Sequence, residues 1–200
     1  MILQEKLLPY RIFLGSASPR RQILLQELGI KFVTLNVANV EEIFPPELPL
    51  EEVPSYLASL KAKAYYPQLN HGDILITADT IVICENTLLG KPENEGHATE
   101  MLKFLSGKEH RVITGVTISN LSHSLTFSAT TSVFFRVLTD EEIAFYLENF
   151  KPFDKAGAYG IQEWIGYVGI ERIEGSYFNV MGLPVQRLYG ELLNFVSSLK

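Results

Sequence analysis

Residues 74–84 read ILITADTIVIC, an apolar run of strand-forming residues interrupted by one acid, Asp79. The run predicts a strongly apolar strand over 74–83, and Glu85-Asn86 after it suits a hairpin turn. Toward the N-terminus, Arg11 to Gly15 (RIFLG) reads as a short buried strand. A helix is expected from Pro19 to Leu28, stopped by Gly29, and a second strand from Phe32 to Val37. The segment Phe44 to Pro54 holds four prolines and reads as a loop with a late helix start. Leu50, Val53, Leu57, Leu60 and Ala64 then recur at helical spacing until Pro67. Toward the C-terminus, a helix is expected from Asn94 to Leu105. Arg111 to Ser119 and Leu125 to Val137 follow as a long strand pair. Thr139 with Glu142 gives a capping-box start to a helix through Asn149. Gly157 to Gly182 reads as irregular with short strands, and Pro184 opens a final amphipathic helix. Alternating helices and strands with one antiparallel pair predict a mixed α/β sheet in a single domain spanning 1–200.

The chain is 46% hydrophobic and 20% charged, which suits a globular fold with a sizeable core. Its formal net charge of −6 argues against a nucleic-acid or anionic-membrane partner, while leaving room for one local basic pocket. Cys84 is the only cysteine, so no intrachain disulfide forms and a cytoplasmic location is expected. No run of about 18 apolar residues is present to span a bilayer. Glu5 interrupts the apolar N-terminal patch, which reads as a short leader rather than a signal peptide. The four histidines lack metal-ligand spacing, and there is no GxxxxGK[ST], GxGxxG or GxSxG motif.

Two segments carry most of the chemical signal. In Ser16-Ala17-Ser18-Pro19-Arg20-Arg21, Ser18 suits an N-cap and Pro19 the first helical position. Acids are preferred in a first helical turn by about 0.3–1 kcal/mol, yet this one carries two arginines. A bound anion would resolve the conflict; solvated arginines are the plainer alternative. Asp79 is costly inside an apolar strand unless paired, hydrogen-bonded or metal-bound, so it is either a structural ion pair or a functional acid. In a regular strand Asp79 and Thr80 face opposite ways, so both meet one ligand only at a strand end or bulge.

Other segments say less. Lys91 lies in Gly90-Lys91-Pro92, expected as a tight turn. Lys61 and Lys63 sit about 200° apart around their helix, so only one faces a given site. Ser106-Gly107-Lys108 with His110 is a weak candidate for a phosphate-facing turn. Asp154 to Gln162 and Glu174 to Pro184 mix small residues with Gln, Asn and Tyr. That composition fits a planar ligand or simply two tight loops.

Taken in order, the motifs resemble those of the Maf family of nucleotide pyrophosphatases, also described as septum-formation inhibitor homologues. The matching blocks are SASPRR at 16–21, VEE at 40–42, LASLKA at 57–62, ADTIV at 78–82 and GKP at 90–92. SGKEHRVITG at 106–115, LTDEEIAFYL at 138–147, DKAGAYGIQ at 154–162 and GSYFNVMGLP at 175–184 complete the set. The resemblance implies a mixed twisted sheet flanked by helices, in two closely joined lobes with a central cleft, as in Maf and inosine-triphosphatase-like enzymes. It implies hydrolysis of a nucleoside triphosphate between the α- and β-phosphates, with a divalent cation, Mg or Mn. It makes Asp79 the proton acceptor and Glu42 its acidic partner, with Glu41 as the neighbouring choice; both Asp79 and Glu42 would serve the metal. The helix lysine falls on Lys61 and the turn lysine on Lys91. Arg20, Thr80 and Gln162 resemble the branch acting on dTTP and UTP rather than the one acting on methylated GTP. Ser16, Ser18, Arg21 and Lys155 would complete the substrate contacts, and a homodimer is the implied assembly. Two rival readings are a non-enzymatic regulator of septum formation and an inosine-triphosphatase-like purine enzyme, whose GNxxK start is missing here.

Overall fold

A computed structural model describes residues 2–35 and 40–199. The apolar run becomes β3 (Asp73–Cys84), in which every side chain except that of Thr80 is buried. β1 (Arg11–Leu14) pairs with it in parallel, Arg11 opposite Asp73 and Leu14 opposite Ile76. β2 (Val33–Thr34) continues the parallel ladder on β1 and is shorter than its pattern predicts. Residues 36 and 37 of the expected strand lie outside the described residues. After β3, Glu85 (φ 48°) and Asn86 (φ 63°) both take left-handed backbone, as a type I′ hairpin requires. β4 (Thr87–Leu89) returns antiparallel, with Thr87 opposite Cys84. β5 (Glu109–Ser119) and β6 (Ser124–Phe135) are the expected long neighbours, and β7 (Ile170–Glu174) pairs antiparallel with β6. The strand order is β2-β1-β3-β5-β6-β7 with β4 on β3, a seven-stranded mixed sheet.

The expected helices form α2 (Pro19–Glu27), α3 (Val53–Tyr65), α4 (Glu95–Leu105), α5 (Asp140–Phe150) and α8 (Val185–Ser198). Asn94 caps α4 through the His97 amide, and Thr139 and Glu142 form the full capping box on α5. Three further helices went unread: α1 (Leu3–Leu7) in the supposed leader, and α6 (Trp164–Gly169) and α7 (Tyr177–Met181) in the glycine-rich stretch. Gly166 shows why composition misleads there. A Cβ on it would lie 1.8 Å from the Ile161 carbonyl oxygen, so glycine is required by packing rather than by a loop.

The chain divides into two compact units: Met1–Asp79, Thr114–Ala129 and Gly182–Lys200 form the first, and Thr80–Ile113 and Thr130–Met181 the second. In the first, Ala62, Tyr65, Leu69 and Leu75 pack together between α3 and β3. In the second, α4 and α5 lay Leu102, Leu105, Ile143 and Tyr146 into one core with Ile165. Truncating such a fully buried leucine to alanine typically costs about 2–5 kcal/mol.

Candidate active site

The position of Asp79 follows from the register of β3 and α3. Thr77 and Asp79 are two residues apart and share one face of the strand. The Thr77 hydroxyl donates to the Ala58 carbonyl at 2.7 Å and ties α3 to that face. Lys61 lies one turn beyond Ala58, so it meets the acid. Its Nζ is 2.5 Å from Asp79 Oδ1 and 2.9 Å from Glu42 Oε1. The Lys61 and Asp79 side chains are 15% and 10% exposed, whereas Glu42 is 54% exposed. Of the two adjacent acids, Glu42 is thus the one that reaches the lysine. Lys63, on the other side of the helix, is exposed.

Burial pushes the Asp79 carboxyl above its ordinary range. The Lys61 ammonium, by charge and hydrogen bond, and then Arg21 oppose that rise, while Glu42 adds to it. The result is a sheltered carboxylate more basic than an exposed one. Its Oδ2 accepts no hydrogen bond among the described residues.

The loop before α2 is built against the same elements. A Cβ on Gly15 would sit 2.6 Å from the Tyr65 ring and 2.8 Å from the Thr77 methyl, so only glycine lets the chain turn there. Ser16 is buried, and its Oγ accepts from the Ser18 amide at 3.2 Å and from Arg21 at 3.3 Å. Arg21 also donates to the Gly182 carbonyl at 2.8 Å. Burial lowers its proton affinity, but a guanidinium remains charged. Ser18 stands at the N-cap as expected, without a side-chain cap bond, and the first turn of α2 holds no acid. Ser16 and Arg21 are thus joined at the start of α2, where Ser18 and Arg20 flank Pro19.

The remaining candidates belong to the second unit. β3 runs unbroken through both Asp79 and Thr80, so the strand does not end between them and their side chains leave on opposite faces. Lys91 is exposed on an irregular segment, just after Gly90, whose carbonyl accepts from the Gly157 amide at 3.0 Å. Lys155 is buried, with its Nζ 2.7 Å from Asp154 and 2.9 Å from Glu163, so its charge is already countered. Gln162 Oε1 is buried and has no hydrogen-bond partner among the described residues. That is the state expected of an acceptor that waits for a ligand donor.

The weak phosphate-turn candidate resolves into structural contacts. Ser106 accepts from the Leu138 amide at 2.7 Å, and Lys108 pairs with Glu85 at 3.0 Å. His110 is buried against Phe135 and Tyr159, with its Nε2 2.8 Å from the Tyr159 hydroxyl. Sequence reasoning missed Tyr146 and Glu163, whose side chains hydrogen-bond to each other. Tyr146 lies in a core helix and Glu163 beside a glycine-rich turn, so neither spacing nor composition links them. No three His, Cys, Asp or Glu residues group to hold a metal among the described residues.

Comparison with known proteins finds a family match and relatives in sequence over nearly the whole chain. The family model described as "Maf-like protein" matches residues 11–195. A dTTP/UTP pyrophosphatase of Phocaeicola vulgatus is 53% identical over 94% of this chain and 97% of its own. One from Porphyromonas gingivalis is 50% identical over 97% of this chain and 98% of its own. Among solved structures, a HAM1 protein from Coxiella burnetii superposes with a TM-score of 0.47 at 15% identity, covering 92% of this chain and 99% of that one.

Proposed function

The chain belongs to the Maf family, and on that premise we propose that it hydrolyses dTTP and UTP to the monophosphate and pyrophosphate. The observation that carries this reading is the sheltered Lys61–Asp79 pair with Glu42, beside the arginine-bearing start of α2. A triphosphate carries about four negative charges, and Arg20, Arg21, Lys61 and Lys91 supply cations to meet them. Asp79 accepts a proton from the water that attacks the α-phosphorus. The bond from that phosphorus to the bridging oxygen breaks, and pyrophosphate leaves with the electron pair. Burial suits Asp79 to this task by raising its basicity. Ser16 and Ser18 orient the phosphates through hydroxyls at the helix start. Gln162 reads the pyrimidine, its orphaned oxygen accepting from an N–H on the base edge; Thr80, expected beside it, leaves the unbroken strand on the face opposite Asp79 and is given no contact with the same ligand.

A divalent cation fits the donor set. Mg and Mn take hard oxygen ligands, commonly one or two carboxylates with phosphates and water, and Glu42 and Asp79 reach a single ammonium together. These two residues would hold the ion, which would stabilise charge developing on the phosphates. The whole chain acts as one nucleotide-hydrolysing domain, as a homodimer and in the cytoplasm. No helix among the described residues is long and apolar enough to cross a membrane.

Pyrophosphate release across a panel of nucleotides, with Mg, with Mn and with chelator, tests the assignment. Release from dTTP and UTP that stops with chelator is expected. No release from any nucleotide would return the chain to a regulatory role, and preference for ITP would make it a purine enzyme.

A further inference from the structure

The segment that carries Gln162 is held at several points inside the second unit. Gly157 donates its amide to Gly90, and the Tyr159 hydroxyl meets His110. Gly160 donates its amide to the Tyr146 hydroxyl at 3.0 Å, and that hydroxyl donates in turn to Glu163 Oε2. The other Glu163 oxygen faces Lys155 at 2.9 Å. Gly160 is closed in by the side chains it separates. A Cβ there would lie 2.9 Å from Glu163 Cδ and 3.0 Å from Gln162 Nε2. Ala158 takes left-handed backbone (φ 58°), which costs a non-glycine residue about 1–2 kcal/mol and persists only where the surroundings demand it. Between these anchors, Gln162 presents an acceptor that the protein leaves unpaired.

We propose that Glu163 is a positioning residue for base recognition: clamped by Tyr146 and Lys155, it fixes the turn from Gly160 so that Gln162 stands ready for the pyrimidine. Lys155 in this arrangement is the counter-ion of Glu163 and not a phosphate ligand. Its side chain is 10% exposed and its ammonium lies between two carboxylates, of which Glu163, with a side chain 18% exposed, is the sheltered one. A buried ammonium requires such a partner, and a buried carboxylate with both oxygens engaged is held in one place. The inference rests on Gln162 being the base reader.

The test compares Tyr146→Phe, Glu163→Ala, Glu163→Gln and Lys155→Met with the parent protein. KM and kcat are measured separately for UTP, dTTP, CTP and GTP. Binding of α,β-methylene-UTP is followed by the fluorescence of Trp164, the only tryptophan, which adjoins Glu163. Tyr146→Phe and Glu163→Ala should raise KM for UTP about ten-fold and narrow the UTP-over-CTP preference by a similar factor, with kcat within about two-fold. Glu163→Gln keeps an acceptor for the Tyr146 hydroxyl and should restore most of the preference. Lys155→Met should follow Glu163→Ala.

Unchanged KM and preference in both Tyr146→Phe and Glu163→Ala would overturn the positioning role. So would an equal loss of kcat for all four nucleotides with preference intact. A kcat loss of about a hundred-fold confined to Lys155→Met would return that lysine to the phosphates. Tyr146→Phe removes one hydroxyl and decides the matter if Glu163→Ala does not fold. If the parent binds α,β-methylene-UTP but hydrolyses nothing, the proposed activity fails while the positioning claim is still read from binding. If the parent does not bind it, both fall.

Discussion

Two lysine-centred clusters share a plan and differ in what they leave open. Lys61 lies between sheltered Asp79 and exposed Glu42; Lys155 lies between sheltered Glu163 and exposed Asp154. In each, a mostly buried ammonium takes one acid from the interior and one from the surface. The sheltered acids part company at their second oxygen. That of Glu163 takes the Tyr146 hydroxyl, whereas Oδ2 of Asp79 takes no hydrogen bond among the described residues. A saturated ion pair holds structure in place; an unsaturated one retains capacity for a proton, a water or a cation. On the proposed function, the same residue types serve chemistry in one unit and architecture in the other.

The most severe challenge to this contrast is Asp79→Asn. It should lower pyrophosphate release about 10²–10⁴-fold, the usual range for a general base, with little change in melting temperature. Near-normal turnover would reduce the two clusters to one structural kind. Exchanging the lysines comes next. Lys155→Met should destabilise the protein by about 3–5 kcal/mol, because it leaves Glu163 without its buried partner, as thermal denaturation would register. Lys61→Met likewise leaves buried Asp79 without its partner and should destabilise comparably, but it should lower kcat far more than Lys155→Met does, since Lys61 lies on the reacting acid. Reversal of that order would assign the roles the other way round.

A finer probe is Gln162→Ala, expected to change base preference by about ten-fold while leaving pyrophosphate release from a poor substrate such as CTP nearly unaltered. An equal loss for every nucleotide would make Gln162 structural. The smallest effect concerns acid stability of the second unit. Burial pushes His110 down to about 3 from its ordinary 6.5, so the folded protein stays unprotonated there while the unfolded chain takes up a proton. Stability from this residue is therefore present above pH 6.5 and lost as pH falls toward 3, by at most about 1.4 kcal/mol per pH unit. His110→Phe should flatten the melting temperature between pH 6.5 and 4 relative to the parent.

Local signals carried much of the fold because they depend on neighbours in the chain. The apolar run at 74–84, the Glu85-Asn86 turn and the Thr139–Glu142 box each contain their own physical cause. α6 and α7 escaped notice because their glycines answer to packing partners such as the Ile161 carbonyl. Within the candidate site, Asp79 stood out as an acid in an apolar strand, and its helical spacing allowed Lys61 or Lys63 but not both. Whether the strand broke after Asp79 was open in the sequence; β3 runs on through Thr80.

The mixed α/β class, the ordered motifs of the family and the residue types proposed to meet a phosphorylated ligand are all legible along the chain. Folding alone brings Glu42 and Asp79 onto Lys61 and joins Lys155, Glu163 and Tyr146. Periodicity says which face of an element is apolar, while the partners of a charged group are set by where distant elements come to rest. An ion pair between residues 18 positions apart, or a hydroxyl meeting a carboxylate 17 positions away, exists only once the chain has packed.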